Sequence, residues 1–359
     1  MPKKIRAGII GVGNCFAGLI QGIEYYKKNS KKKPVGLMHE KIGPYDFKDI
    51  DFVSAFDVGA NKIGKSLDRA VFAAPNLVRW TKLPKSKVVV GESPVLDGIG
   101  IYVANKINPL KNPTPIEKLE KEIIKEIKKS KTDILVNYLP VGSQGATEFW
   151  AEIALKTNCA FINCLPAFIA SKEKWAERFK KLRVPIIGDD IKGQVGATIV
   201  HRIIAKLCSD RGATIDKTYQ INVGGNTDFL NMLERSRLES KKISKTEAVT
   251  SQINKDIKAD KVYIGPSDFI PFLGNTKLAF IRAEGRMFAD VPYSIELRLE
   301  VDDKANSAGI VIDAIRCAQL ALDRKLGGYM EVSSYFMKHP LVQKSDDEAR
   351  EIVERFIKK

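Results

Sequence analysis

The sequence predicts an α/β protein in which a doubly wound parallel sheet is joined to a second, α+β domain. Three observations lead there. In the first half, short apolar runs of strand length alternate with segments of helical periodicity, the sign of parallel strands joined by crossover helices. The first run, Ile5–Ile10, leads into a glycine turn, Gly11-Val12-Gly13, and then into a helical pattern. Beyond about residue 210 the character changes, and alternating strands with less helix between them take over.

Taken in order, the strand at 5–10 and a helix at 15–27 precede an irregular excursion over 28–49, rich in Lys, Gly and Pro. A second strand, 52–56, ends at Asp57. Further strands fall at 88–90, 134–138, 161–163 and 186–187, with helices at 143–156 and 172–182 between them. The run 118–131 mixes Lys and Glu at helical spacing, which describes an exposed helix laced with ion pairs. A longer helix, 195–210, carries Ile199, Ile203, Ile204 and Leu207 on its apolar face, with Gly212 placed to cap it. Strands at 219–223, 277–283 and 294–301 build the second domain, whose sheet is suited to packing against a symmetry mate. A helix at 307–326 stops at Gly327 and Gly328. The last helix, 346–357, begins with acids and ends at Lys358 and Lys359, in keeping with its dipole.

Composition narrows the function. No apolar run in the 359 residues is long enough to cross a bilayer. Lys3 and Lys4 precede Ile9 and Ile10, but the run stops at Gly11 with no cleavage site after it, so it reads as a strand rather than a signal peptide. A cytoplasmic location without a membrane partner is expected. Five cysteines without a CxxC pair argue against a disulfide framework or a zinc knuckle. His39, His201 and His339 show no metal-ligand spacing. The net charge of +16 admits a polyanionic partner or a lysine-rich surface around a site for a small phosphorylated substrate. Without a zinc finger, an RNP-type aromatic strand or an arginine-rich arm, nucleic acid is not expected as the partner.

Gly11 permits a tight turn, and Gly13 lets backbone approach a pyrophosphate at the helix N-terminus. Phe16 stands where the third glycine usually falls, and Gly18 follows two residues later. Asp57 can accept hydrogen bonds from the adenosine ribose hydroxyls, which favours NAD over NADP. These features read as a Rossmann-like dinucleotide site; a doubly wound fold binding something else is the alternative. Two further strand ends, Leu139-Pro140-Val141-Gly142-Ser143 and Gly188-Asp189-Asp190-Ile191-Lys192, lie where open α/β sheets bind ligands. Two adjacent carboxylates beside a lysine are costly to desolvate without a partner. A helix cap by Asp190 with a surface ion pair is the plainer reading of them.

The segments GVGNC (11–15), GLMHEKIGPY (36–45), LDGIG (96–100), LPVGS (139–143), GDDIK (188–192), NVGGNTDFLNM (222–232), SKKISKTEAV (240–249) and NSAGIVIDAIR (306–316) together resemble the inositol-1-phosphate synthases. The match is to the short bacterial and archaeal form and runs over essentially the whole chain. It implies an NAD-dependent isomerase that converts D-glucose 6-phosphate into 1D-myo-inositol 3-phosphate. In that reaction C5 is oxidised, the ketone acidifies the C6 protons, the enolate attacks the C1 aldehyde, and the C5 ketone is reduced again. Every intermediate carries a phosphate and most develop oxyanion character, so ammonium groups should crowd the site.

By this resemblance the catalytic residues are Lys241, Lys245, Lys277 and Lys338, with Asp190 and Asp303 as their acidic partners. Gly11, Gly13, Asn14, Cys15, Asp57, Ser143 and Asp189 fall to the cofactor. Lys192, Asn222, Asn226 and Asp228 fall to the substrate or the nicotinamide end. Spacing supports one part independently: Lys241 and Lys245 are four apart and share a face if helical. The resemblance also implies an NAD-binding Rossmann-like domain at 1–198 plus 307–359, and a catalytic and oligomerisation domain at 199–306 that builds a homotetramer. Some members of the family use a divalent cation, for which Asp189, Asp190 and Asp228 are candidate oxygen donors. Gly193 stands where the family carries a serine near the substrate phosphate. That keeps open an alternative, an NAD-linked dehydrogenase acting on another sugar phosphate.

Overall fold

Apolar runs that alternate with amphipathic helices settle into a seven-stranded sheet whose neighbours all pair in parallel. The computed structural model describes residues 4–253, 257–265 and 268–359. The strands are β1 (Ile5–Ile10), β2 (Ile50–Asp57), β3 (Val90–Glu92), β4 (Ile134–Asn137), β5 (Ala160–Asn163) and β6 (Pro185–Ile187), with Gly328–Tyr329 outside β6. Their spatial order is β6-β5-β4-β1-β2-β3. Every residue of β4 and β5 is buried, as strands covered on both faces require. The order reverses between β1 and β4, so the loops after these two strands open side by side at the carboxyl edge of the sheet.

Helices α1 (Asn14–Lys28), α2 (Ile116–Lys129), α3 (Gln144–Thr157) and α4 (Glu173–Lys181) supply the crossovers and cover. The lysine- and glutamate-rich α2 buries Leu119, Ile123 and Ile127, a single stripe four residues apart. The excursion at 28–49 contains a small hairpin, Lys41–Ile42 with Tyr45–Asp46. A buried guanidinium holds it, since Arg316 donates to the carbonyls of His39 (2.8 Å) and Glu40 (2.9 Å).

The second half forms α5 (Ala197–Asp210), β7 (Lys217–Gly224), α6 (Thr227–Asn231), α7 (Glu239–Thr250), β8 (Val262–Ile264), β9 (Asp268–Phe269), β10 (Thr276–Arg286) and β11 (Pro292–Asp302). The second sheet runs β8-β7-β10-β11, with β9 also paired to β7. Helices α5 and α7 cover one face through Ile204, Ala205, Cys208 and Val249 against Ile264, Ile281 and Ala283. Ile221 and Phe280 remain exposed. Helix α8 (Asp303–Asp323) then returns against α1 and the first sheet, and α9 (Asp346–Lys358) closes the chain.

Three expectations need correction. The helix expected from Ser307 begins at Asp303, because the Asp302 carboxylate caps it by accepting from Lys304 N (2.9 Å) and Ala305 N (2.8 Å). The helix therefore crosses the expected boundary at 306/307. In α5, Ile203 and Leu207 are 56% and 55% exposed. The buried face instead carries His201 and Arg202, whose polar atoms bond to Thr218 and to Asp346. The strand expected at 88–90 pairs with β2 only from Val90, because Val88 and Val89 bond to the turn at Ser66 and Leu67. Among the described residues, no helix is long and apolar enough to cross a membrane.

Candidate active site

The loops after β1 and β4 meet over the sheet's switch point. Gly11 has φ +90°, and a Cβ there would sit 2.9 Å from the Tyr138 carbonyl oxygen, so glycine meets both demands. Among the described residues, a Cβ on Gly13 would meet nothing within 4 Å, so the space above the turn is open. The Asp57 carboxylate accepts from Val12 N and Gly59 N, each at 2.8 Å, and lies 3.3 Å from the Lys62 ammonium. Lys62 and Asn76 both donate to the Val12 carbonyl at 2.9 Å, which stiffens the turn from behind. Asn14 Oδ1 accepts from Leu77 N, while among the described residues its buried Nδ2 has no partner and the Tyr138 hydroxyl also lacks one. Both residues line the cavity with Gly11, Gly13, Cys15 and Asp57. Open backbone at a helix N-terminus, an acid at the end of β2 and orphaned polar groups suit a dinucleotide.

The second wall of this cavity is cationic. Helix α7 brings in Lys241 and Lys245 one turn apart, β10 brings Lys277, α8 brings Lys304, and the chain before α9 brings Lys338. Asp190, Asp228 and Asp303 face them. Asp190, with φ +61°, accepts from Lys338 Nζ at 2.8 Å and from Ser244 Oγ at 2.5 Å. This buried network replaces the helix cap that the sequence also allowed. Lys241 lies 3.7 Å from Asp228; Lys277 and Lys304 lie 3.5 and 2.9 Å from Asp303. Lys245 is buried and makes no ion pair among the described residues.

These contacts separate the lysines electrostatically. Burial alone would lower Lys241, but Asp228, Asp190 and Asp303 raise it above the ordinary lysine range. Burial lowers Lys245 well below that range, and the neighbouring Lys241, Lys277 and Lys338 push the same way. Lys338 is lowered by burial, with Asp190 partly restoring it. Asp190 and Asp303 resist the upward push of burial and are held low, Asp190 chiefly by Lys338 and Asp303 chiefly by Lys304. Burial raises the Cys15 thiol, so it is not a ready thiolate.

Other expected site residues are used differently. Asp189 is fully buried outside the cavity. Its carboxylate accepts from the backbone N–H groups of Ile169, Ala170 and Ser171, the Ser171 hydroxyl and Asn163 Nδ2, at 2.7–3.1 Å. That ties the loop after β5 to the end of β6, so the Asp189, Asp190 and Asp228 cation set does not assemble. Among the described residues, no group of three or more His, Cys, Asp or Glu is placed to hold a metal. Ser143 turns back to the Pro140 carbonyl (2.6 Å), and Asn222 donates to the Gly265 carbonyl (2.7 Å). Asn226 caps α6 and reaches Asp303 at 3.4 Å. Lys192 lines the cavity, but its ammonium bonds to the Ser334 carbonyl (2.8 Å), and burial pushes it down to about 7. The side chain of Asn306 lies over Gly193, 2.9 Å from where a Cβ would stand.

Sequence reading missed Lys304 and Ser244. Ser244 falls three residues after Lys241, so the i,i+3 spacing of α7 carried the signal. Lys304 offered only its position beside Asp303.

The architecture and this cavity define a Rossmann-like enzyme whose glycine turn faces a lysine cluster supplied by a second sheet. A family model for myo-inositol-1-phosphate synthase matches residues 196–304. The inositol-3-phosphate synthase of Mycolicibacterium smegmatis is 50% identical over 361 residues, covering 99% of this chain and 98% of its own. That of Corynebacterium glutamicum is 48% identical over 363 residues, with coverage of 99% and 98%. A solved structure of a myo-inositol-1-phosphate synthase-related protein from Thermotoga maritima shares the fold with a TM-score of 0.81 at 23% identity, covering 99% and 98%. This chain belongs to the myo-inositol-1-phosphate synthase family.

Proposed function

We propose that this chain converts D-glucose 6-phosphate into 1D-myo-inositol 3-phosphate with NAD as a recycled cofactor. The observation that carries the reading is the single cavity shared by the Gly11–Gly13 turn and by Lys241, Lys245, Lys277 and Lys338. Gly11, Gly13 and Asn14 would hold the pyrophosphate end, and Asp57 the adenosine ribose. Bound there, NAD would supply the hydride acceptor for oxidation at C5 and, once reduced, the hydride donor for the reverse step.

The chain's own residues account for the rest. Seven lysines and four aspartates line the cavity, so lysine donors outnumber carboxylates around the place where a phosphate dianion would sit. Lys241 and Lys277, paired with Asp228 and Asp303, are donors for the oxyanions that develop at C5 and C1. Lys245 and Lys338, both lowered by burial, are the amines able to accept and return a proton. Asp190 holds Lys338 toward the cavity. Enclosing both ends of one sugar chain adds a proximity effect on the order of 7–11 kcal/mol. A homotetramer built through the open face of the second sheet is part of this proposal, supported by the exposed Ile221 and Phe280.

The test is an NMR product assay on glucose 6-phosphate with substoichiometric NAD. Inositol phosphate should form in many turnovers per cofactor with no accumulation of NADH. Steady NADH growth without a cyclised product would make the chain a dehydrogenase instead.

A further inference from the structure

We propose that Lys304 is a positioning residue for the catalytic cluster: it takes up the Asp303 carboxylate and thereby leaves the Lys277 ammonium free to donate into the cavity. The proposal rests on the synthase reading above.

Asp303 is contested by three donors. Lys304 Nζ meets its Oδ2 at 2.9 Å, and Asn226 Nδ2 reaches the same oxygen at 3.4 Å. Lys277 Nζ approaches only the other oxygen, at 3.5 Å, beyond a normal charge-assisted hydrogen bond. The two lysines also differ in freedom. The Lys304 side chain is 4% exposed, and its backbone N–H is pinned by the cap oxygen of Asp302 at 2.9 Å. Its Cβ and its carbonyl oxygen lie 3.3 Å from where a Cβ on Gly18 would stand, so Gly18 is the gap in α1 that lets the start of α8 press close. The ammonium ends 3.7 Å from Cys15 Sγ in the first turn of α1. Lys304 is wedged in place. Lys277 is 20% exposed, on the cavity side, with the Phe229 ring 5.9 Å away.

A partly buried carboxylate, 19% exposed, keeps a cation against it. With Lys304 present, that need is met from the α1 side, and the donors of Lys277 stay available to a developing oxyanion. Without Lys304, Asp303 would draw the Lys277 ammonium into direct contact and away from the sugar. The loss should fall on the chemical step more than on substrate capture, because Lys241 and Lys245 still face the cavity.

The experiment is steady-state kinetics of Lys304→Met in the full chain with glucose 6-phosphate and NAD, alongside thermal unfolding and calorimetric NAD binding. The expected result is a kcat about tenfold lower, with KM for glucose 6-phosphate and Kd for NAD within about twofold of the parent. Lys304→Arg, which keeps a cation beside Asp303, should recover most of the kcat. Lys304→Gln keeps a donor without the charge and covers the case in which the methionine variant does not fold; it should lose kcat in the same pattern. An unchanged kcat, or a fall in kcat that follows thermal stability and is not rescued by arginine, overturns the role of Lys304 while the parent still makes inositol phosphate. A parent that makes none overturns the synthase reading and this proposal with it.

Discussion

Lys241 and Lys245 stand one helical turn apart on α7, yet their surroundings shift them in opposite directions. Three aspartates keep Lys241 a cation; burial and three like charges favour the neutral amine at Lys245. A donor beside an acceptor is what a reaction that moves protons on and off sugar oxygens requires. Lys277 lines the same cavity, 3.5 Å from Asp303. Lys277→Ala is expected to reduce turnover by roughly a thousandfold while NAD affinity changes little, which the NMR product assay and calorimetry would check. Asp190→Ala leaves Lys338 buried without its carboxylate. Denaturant unfolding should then show a loss of about 3 kcal/mol, the cost of stranding one partner of a buried pair.

At the scale of elements, helix ends and one buried imidazole decide how the second sheet is held. Asp302 accepts two backbone N–H groups at the start of α8, so Asp302→Ala should cost about 1 kcal/mol in denaturant unfolding. His201 of α5 is fully buried against Thr218 of β7, 2.7 Å away. Burial pushes it down from the ordinary 6.5 to about 4. Between those values the unfolded chain binds a proton that the folded chain refuses. Its contribution is therefore intact above pH 6.5 and lost as pH falls toward 4, amounting to roughly 3 kcal/mol. Urea titrations of the parent and of His201→Gln across this range should show the parent's steeper acid limb flattened in the variant.

The whole molecule places a cofactor edge and a cationic wall on one cavity by sending α8 from the second sheet back across the first. The outer face of the second sheet is left with Ile221 and Phe280, and β11 has no fully buried residue. If the proposed assembly forms through this face, Phe280→Asp should lower the mass measured by analytical ultracentrifugation, whereas an unchanged mass would move the interface elsewhere.

Much of the first sheet was legible, because burial on both faces leaves continuous apolar runs and the Gly11–Gly13 turn is a local backbone demand. The outward turn of Ile203 and Leu207 was not, since periodicity marks an apolar stripe without recording which neighbour covers it. Asp189 shows the same limit at the site, for adjacency in sequence put two carboxylates side by side and only folding sent one of them into the Ile169–Ser171 backbone.

The sequence by itself determined the strand and helix types, the glycine turn, and a lysine motif distinctive enough to name a chemistry. All of these depend on residues close together in the chain. Only the tertiary structure decided which polar groups reach the cavity, and above all that Lys304 belongs there. Asp303 is its neighbour in sequence, but the packing against Cys15 of α1 that wedges it there joins residues 289 positions apart, and no local pattern encodes a contact over that distance.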